Sequence, residues 1–267
     1  MMRAKELSRP VGVMSPLDRT NGGADNAFGR HEPRLGSLKP ANTALVGVML
    51  RMILPADVES EECFGEAPGG VLFPEEEKII AHAVEVRRRE YAAVRSCARA
   101  CLGRLGYAPV PILPGVGGAP TWPAGVRGSM THCAGYAAAA VGRLSRISAI
   151  GIDAEPDAPL LDCVLDLVAT PAEQDRLAAT RLELDSPNWD RLLFSAKEAV
   201  YKAWFPLTGE WLDGQEAEIL FDPQDGTFTA LLSRDGLIVD GCPVRRLHGR
   251  WVRKRGILVT AVVLGSA

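Results

Sequence analysis

Two short stretches of this chain carry side chains that could do chemistry together. In Gly151-Ile152-Asp153-Ala154-Glu155 the two carboxylates are two residues apart, so on a strand both point to one face. Downstream, Asn188–Phe205 has a helical period. Trp189, Leu192, Leu193, Ala196, Val200 and Ala203 supply an apolar stripe, while Arg191, Ser195, Glu198 and Lys202 share another face at i, i+4, i+7 and i+11. Lys197 and Tyr201 flank that face. Three carboxylates able to converge, Asp153, Glu155 and Glu198, suit a hard cation held by oxygen, Mg²⁺ before zinc. Lysines beside them suit a polyphosphate, where Lys202 supplies positive charge that the cation leaves unbalanced. On spacing alone the alternative is a solvated helix with an ordinary Glu198–Lys202 pair worth about 0.3–0.5 kcal/mol.

These groups need a strand and a helix to hold them, and the remaining pattern supplies an α+β frame. Leu45–Leu54 reads as an apolar strand broken by Arg51, and residues 57–70, acidic and then Gly-rich, as a loop. Pro74-Glu75-Glu76-Glu77 opens a helix, since Pro fits the first turn and acids suit the positive end of the dipole. That helix is predicted to reach about Leu105, with a break near Arg87–Arg89, and Gly106 stops it. Residues 109–125 are a Pro- and Gly-rich shaped loop. Gly128–Val141 reads as strand, turn, strand, and Ser148–Glu155 as a further strand. Thr170-Pro171-Ala172-Glu173 is a capping box with Pro at the first helical position. Residues 217–222 and 227–232 alternate around Asp225-Gly226, a hairpin signal, and Gly256–Leu264 is a β-branched closing strand.

Composition narrows the class. The chain has 267 residues, a formal net charge of -3 and 47% apolar residues, a balance typical of folded soluble proteins. Residues 1–42 hold seven Lys/Arg against four Asp/Glu, net +3, which leaves 23 against 29, net -6, for residues 43–267. The first part has no sustained apolar period and is expected to be a disordered tail. The near-neutral total argues against a general nucleic-acid binder, even with basic clusters at Arg87–Arg104 and Arg245–Arg255. No signal-peptide or membrane-spanning run is visible. Six cysteines without a Cys-x-x-Cys pair are expected to be free thiols, consistent with the cytoplasm.

Taken together, three segments strongly resemble the 4′-phosphopantetheinyl transferases. They are Gly128-Ser129-Met130-Thr131-His132-Cys133, Gly151-Ile152-Asp153-Ala154-Glu155-Pro156, and Leu193-Phe194-Ser195-Ala196-Lys197-Glu198-Ala199-Val200-Tyr201-Lys202-Ala203-Trp204. Arg87-Arg88-Arg89-Glu90-Tyr91, Arg95 and Pro120-Thr121-Trp122-Pro123 point to the single-chain, two-half branch that includes enterobactin-synthetase-component-D-like enzymes. The resemblance implies two similar α+β halves related by a pseudo-two-fold, at about 43–148 and 149–267, with the site between them. It implies transfer of the 4′-phosphopantetheine arm of coenzyme A to a serine of an apo acyl or peptidyl carrier protein, releasing adenosine 3′,5′-bisphosphate. It further implies Mg²⁺ on Asp153, Glu155 and Glu198, completed by the Ala154 carbonyl or a water. Glu198 would be the base for the serine and Lys202 would neutralise the phosphate as the bond breaks. Lys197 would take a second pyrophosphate contact. Arg87, Arg95, Ser129, Thr131 and His132 would hold coenzyme A, with Trp211 and Leu212 at the pocket wall.

A monomer is expected, because one chain supplies both halves. The competing reading is another Mg²⁺-dependent phosphohydrolase or nuclease on the same carboxylates. One departure from the resemblance matters. Close relatives carry a basic residue after Pro111-Ile112-Leu113, where this chain has Pro114, with Arg88 or Arg104 as compensating candidates.

Overall fold

The apolar stretches form two antiparallel sheets, each backed by a helix of 20 residues. The structure is a computed structural model and describes residues 49–65, 70–180, 186–239 and 241–266. The tail expected over residues 1–42 lies outside them. The described residues belong to one unit, Gly47–Ala267.

The first sheet has the order β1-β3-β2, from β1 (Val58–Phe64), β2 (Val126–Cys133) and β3 (Tyr136–Arg143). Its central strand is half alanine and is buried on both faces. Ala137, Ala139 and Val141 face α3 (Glu85–Arg104), and Tyr136, Ala138 and Ala140 face the opposite core. Small side chains there let the helix sit close to the sheet. The short α2 (Pro74–Ile79) precedes α3.

The second sheet has the order β4-β10-β9-β6-β5, with β4 Ile147–Pro156, β5 Ala217–Asp222, β6 Thr227–Leu232, β9 Arg246–Lys254 and β10 Ile257–Gly265. Its inner face packs on α6 (Trp189–Thr208) through Leu258 and Val262 against Leu192, Val200 and Trp204. Its other face sets Val259 and Ala261 against Met49, Leu50 and Ile53 of α1 (Met49–Ile53). Helices α4 (Asp162–Val168) and α5 (Pro171–Thr180) and a two-stranded pair, β7 (Ile238–Val239) and β8 (Cys242–Pro243), complete the elements. The Thr170 capping box forms on both sides: Glu173 N donates to Thr170 Oγ1, and Thr170 N donates to Glu173 Oε2. No described helix is long and apolar enough to cross a membrane.

Three expectations are corrected. The run expected as a strand over Leu45–Leu54 is helical from Met49 to Ile53, because Met49, Leu50 and Ile53 are the buried positions and share a helical face; residues 45–48 lie outside the described residues. The acidic stretch expected as a loop is β1. Its alternate residues Val58, Ser60 and Glu62 are buried, while Glu59 and Glu61 hold Arg104. The helix break falls between Ile79 and Glu85, not at Arg87–Arg89. Those three arginines stay helical because Glu90, Glu77 and Glu85 pair with Arg87, Arg88 and Arg89 respectively.

Candidate active site

The site is built where β2 runs beside β4 without a shared backbone ladder. Side-chain hydroxyls replace that ladder: Ile152 N donates to Ser129 Oγ at 3.0 Å, and Ala154 N donates to Thr131 Oγ1 at 3.0 Å. Thr131 Oγ1 in turn donates to Asp153 Oδ1 at 3.3 Å. Ser129 and Thr131, expected at coenzyme A, are both buried here and fix the strand that carries Asp153.

Helix α6 crosses β4 closely because Gly151 has no side chain; a Cβ there would lie 1.9 Å from the Ala199 carbonyl oxygen. Thr260, the ladder partner of Asp153, donates to the Ser195 carbonyl at 2.9 Å and receives the Ser195 hydroxyl at 2.9 Å. The polar face predicted for α6 therefore lies on the sheet. Lys202 Nζ donates to Asp153 Oδ1 at 2.7 Å and to the Ile152 carbonyl at 3.2 Å. Arg191 Nη1 holds Glu155 Oε2 at 3.0 Å. The helix is buried nearly all round, with Asp190, Arg191, Ser195 and Lys197 among its buried residues.

Electrostatics show what this group lacks. Burial, then the charge of Asp153, raises the Glu155 carboxyl above its ordinary range, with Arg191 and Lys202 opposing. Glu198 is raised for the same two reasons, with Lys202 opposing. Burial alone would lower Lys202, but Asp153 and Glu198 outweigh it and hold the ammonium protonated. Asp153 Oδ2 is buried with no hydrogen-bond partner. Among the described residues, no three His, Cys, Asp or Glu side chains close tightly enough to enclose a metal ion. Even so, a buried, unpartnered carboxylate oxygen beside two carboxylates raised by burial and by its own charge fits an added hard cation. Ala154 lies between them in β4 and is buried.

The other predicted residues divide into two sets. Arg87 Nη1 donates to His132 Nε2, so His132 carries its proton on Nδ1, 3.7 Å from Glu90 Oε2. Burial, then Arg87, Lys202 and Arg95, lowers His132 from 6.5 to about 4. Arg95 is packed inside: Nε donates to the Ile112 carbonyl at 3.0 Å, the guanidinium covers the Tyr91 ring, and burial lowers it to about 10. Lys197 is a correction. It points away from the carboxylates and is fixed by Glu173 at 2.9 Å and the Gly214 and Ala217 carbonyls at 2.7 Å each, because the next residue on a helix is turned by about 100°. Leu212 is buried in the core that α6 shares with the second sheet. Arg88 is bound to Glu77 and Arg104 to Glu59 and Glu61, so neither stands free to compensate for Pro114.

One feature escaped the sequence. Glu76 is fully buried, accepts from Ile112 N at 2.8 Å, and pairs with Arg99 at 2.9 Å and Arg95 at 3.6 Å. It ties the glycine-rich loop to α3, yet three consecutive glutamates gave no sign of which one turns inward. The rings of Phe205 and Trp211 meet Tyr201 from either side, tilted to it, with centroids 5.6 and 4.9 Å away; the helical period sets Tyr201 beside the Glu198 face, and the resemblance sets Trp211 at the pocket wall.

The neutral imidazole makes a pH prediction. The unfolded chain binds this proton below about pH 6.5 and the folded protein only near pH 4, so stability falls as pH drops through that window. His132→Gln is expected to lose less stability than the parent between about pH 7 and pH 5, measured by urea midpoints. Equal losses in both proteins would assign the proton to another group.

Comparison with known proteins gives the class. The family model for the 4'-phosphopantetheinyl transferase N-terminal domain matches residues 75–142, and that for the 4'-phosphopantetheinyl transferase superfamily matches residues 149–239. The 4'-phosphopantetheinyl transferase Svp of Streptomyces mobaraensis is 49% identical over 221 residues, covering 82% of this chain and 90% of that protein. The 4'-phosphopantetheinyl transferase PptT of Mycobacterium tuberculosis is 44% identical over 227 residues, covering 82% and 99%. This chain belongs to the 4′-phosphopantetheinyl transferases and is a transferase enzyme. The likeness to enterobactin synthase component D of Escherichia coli is narrower, 38% over 126 residues, covering 46% of this chain and 58% of that protein.

Proposed function

We propose that this enzyme moves the 4′-phosphopantetheine arm of coenzyme A onto the serine of an apo acyl or peptidyl carrier protein, with Mg²⁺, releasing adenosine 3′,5′-bisphosphate. The observation that carries the reading is the convergence of Lys202 on Asp153 beside Glu155 and Glu198, with one Asp153 oxygen buried and unpartnered. Asp153, Glu155 and Glu198 would hold the cation, together with the Ala154 carbonyl or a water. The cation would supply charge neutralisation on the pyrophosphate.

The chain's own residues do the rest. Glu198 is partly exposed at this cluster, and its carboxyl, raised by burial and Asp153, suits a proton acceptor for the serine hydroxyl, directly or through a water. Lys202, held protonated, offsets charge on the phosphoryl oxygens as the bond to the leaving group lengthens. Arg87 and the neutral His132 line the same end of β2, where an arginine meets phosphate and an imidazole can donate from Nδ1. We place the enzyme in the cytoplasm as a monomer, with halves meeting near residues 148 and 149.

A single assay tests the reading. Protein, coenzyme A, Mg²⁺ and an apo carrier should give a carrier heavier by about 340 Da, the mass of one phosphopantetheine arm. Chelation should stop the gain. Hydrolysis of simple phosphodiesters with no transfer to any carrier in a panel would support the phosphohydrolase or nuclease reading instead.

The exposed Pro114 gives a smaller prediction. Pro114→Lys adds a cation to a loop with no basic residue before Arg127 and is expected to tighten coenzyme A binding by about two- to fivefold, the scale of an exposed ion pair. Calorimetric titration checks it; unchanged or weaker binding would remove that loop from the coenzyme A site.

A further inference from the structure

We propose that Cys63 and Cys97 form an oxidation site, at which a hydroperoxide closes a reversible disulfide between β1 and α3. The register of the two elements brings the thiols together. Strand β1 turns Glu59, Glu61 and Cys63 to one face, and Arg104 of α3 grips the two acids, at 2.8 Å to Glu59 and 2.7 Å to Glu61. Cys97 lies seven residues before Arg104, about 10 Å back along the helix. Cys63 lies two and four residues beyond the two acids, about 7–13 Å along the strand. With β1 and α3 running in opposite directions, the register that sets Arg104 on the acids sets Cys97 over Cys63.

Strand β3 fixes the same pairing independently. Cys63 is the ladder partner of Ala137, and the Cys97 thiol donates to the Ala137 carbonyl at 3.8 Å. Cys101, one turn further on, donates instead to the carbonyl of Ala139, the partner of Glu61.

The two thiols are also chemically unequal. Cys63 is partly exposed, and the neighbouring Cys97 thiol lowers it below the ordinary thiol range. Cys97 is buried, and both the Cys63 thiol and burial raise it. Burial pushes Cys101 up to about 12 and also raises Cys133. Inert core thiols resemble those last two; an accessible thiolate beside a protonated resolving thiol resembles a redox pair. The chemistry closes with the peroxide as oxidant. The Cys63 thiolate attacks one peroxide oxygen, the O–O bond breaks, and the leaving oxygen departs after protonation as water from hydrogen peroxide or as the alcohol from an organic hydroperoxide. The Cys97 thiol then attacks the sulfenic sulfur, forming the S–S bond and releasing water. The cross-link joins β1 to the helix that carries Arg87 and Arg95.

The test uses the full chain, reduced, then exposed to hydrogen peroxide, alkylated, and digested without reductant. The expected product is a Cys63–Cys97 cross-linked peptide about 2 Da lighter than its two parts, with two fewer alkylatable thiols, both restored by dithiothreitol. Cys101→Ser should keep the cross-link. Cys97→Ala should abolish it and leave Cys63 as sulfenic or sulfinic acid. The proposal is overturned if Cys63 and Cys97 both remain alkylatable after the exposed Cys163 and Cys242 have been oxidised. It is also overturned if Cys63 joins a different cysteine, or if Cys97→Ala oxidises as the parent does.

Discussion

Asp153→Asn is expected to cut phosphopantetheine transfer by about 10³-fold while leaving the protein folded. A factor of that size is about 4 kcal/mol of lost transition-state stabilisation, the scale seen when one preorganised electrostatic group is removed. The fold should survive because the carboxylates are mutually unfavourable here. Asp153 raises both Glu155 and Glu198, so removing its charge relieves repulsion even as it weakens the Lys202 pair. Lys202 keeps the Ile152 carbonyl, and the Asn amide can still accept from Thr131. Glu198→Gln should act similarly on turnover, since Glu198 is the proposed proton acceptor. Circular dichroism and melting would report the fold, and carrier mass the turnover. Retained transfer in both variants would remove the cation and base assignments together. In Asp153→Asn the Glu155 and Glu198 carboxyls should also titrate lower than in the cation-free parent, a change that NMR can read.

How much of this was legible depended on geometry that the sequence makes periodic. Asp153 and Glu155 share a face because a strand alternates, and Arg191, Ser195 and Lys202 share one because a helix repeats; the structure sets Arg191 on Glu155, Ser195 on Thr260 and Lys202 on Asp153. What failed was whatever depends on tertiary partners. Lys197 looked like a member of the cluster by adjacency, but it faces Glu173, and nothing local announces that pairing. The acids of β1 read as a loop because strand propensity disfavours Glu, and Arg104, 45 and 43 residues away from Glu59 and Glu61, provides their partner. The five basic residues of β9 hid the alternation of Leu247, Gly249 and Trp251 toward the core. The resemblance gives Ser129 and Thr131 to a ligand, yet their oxygens already accept from β4 backbone. A hydroxyl can serve either purpose, so its type alone decides nothing.

Gly151→Ala is the second large effect and shows how closely the site depends on packing. The added Cβ would lie 1.9 Å from the Ala199 carbonyl oxygen and 2.7 Å from Ala203 N. Both are backbone atoms of α6, so no side chain can rotate away; the helix must move off β4 or the strand must bend. Overpacking of a rigid core costs about 1–3 kcal/mol and more when backbone is the obstacle, so a loss of at least about 3 kcal/mol in unfolding free energy is expected. The same displacement separates Lys202 from Asp153, because one is carried by the helix and the other by the strand. Transfer should therefore fall even under conditions where the variant remains folded, and activity should fall more steeply than the folded fraction. Gly249→Ala, whose Cβ would lie nearest to the Phe228 ring, a side chain and not the α6 backbone, is the control: it should destabilise while activity tracks the folded fraction. If Gly151→Ala instead loses activity only in proportion to unfolding, close contact between α6 and β4 is a matter of stability and not of placing the lysine on the carboxylate.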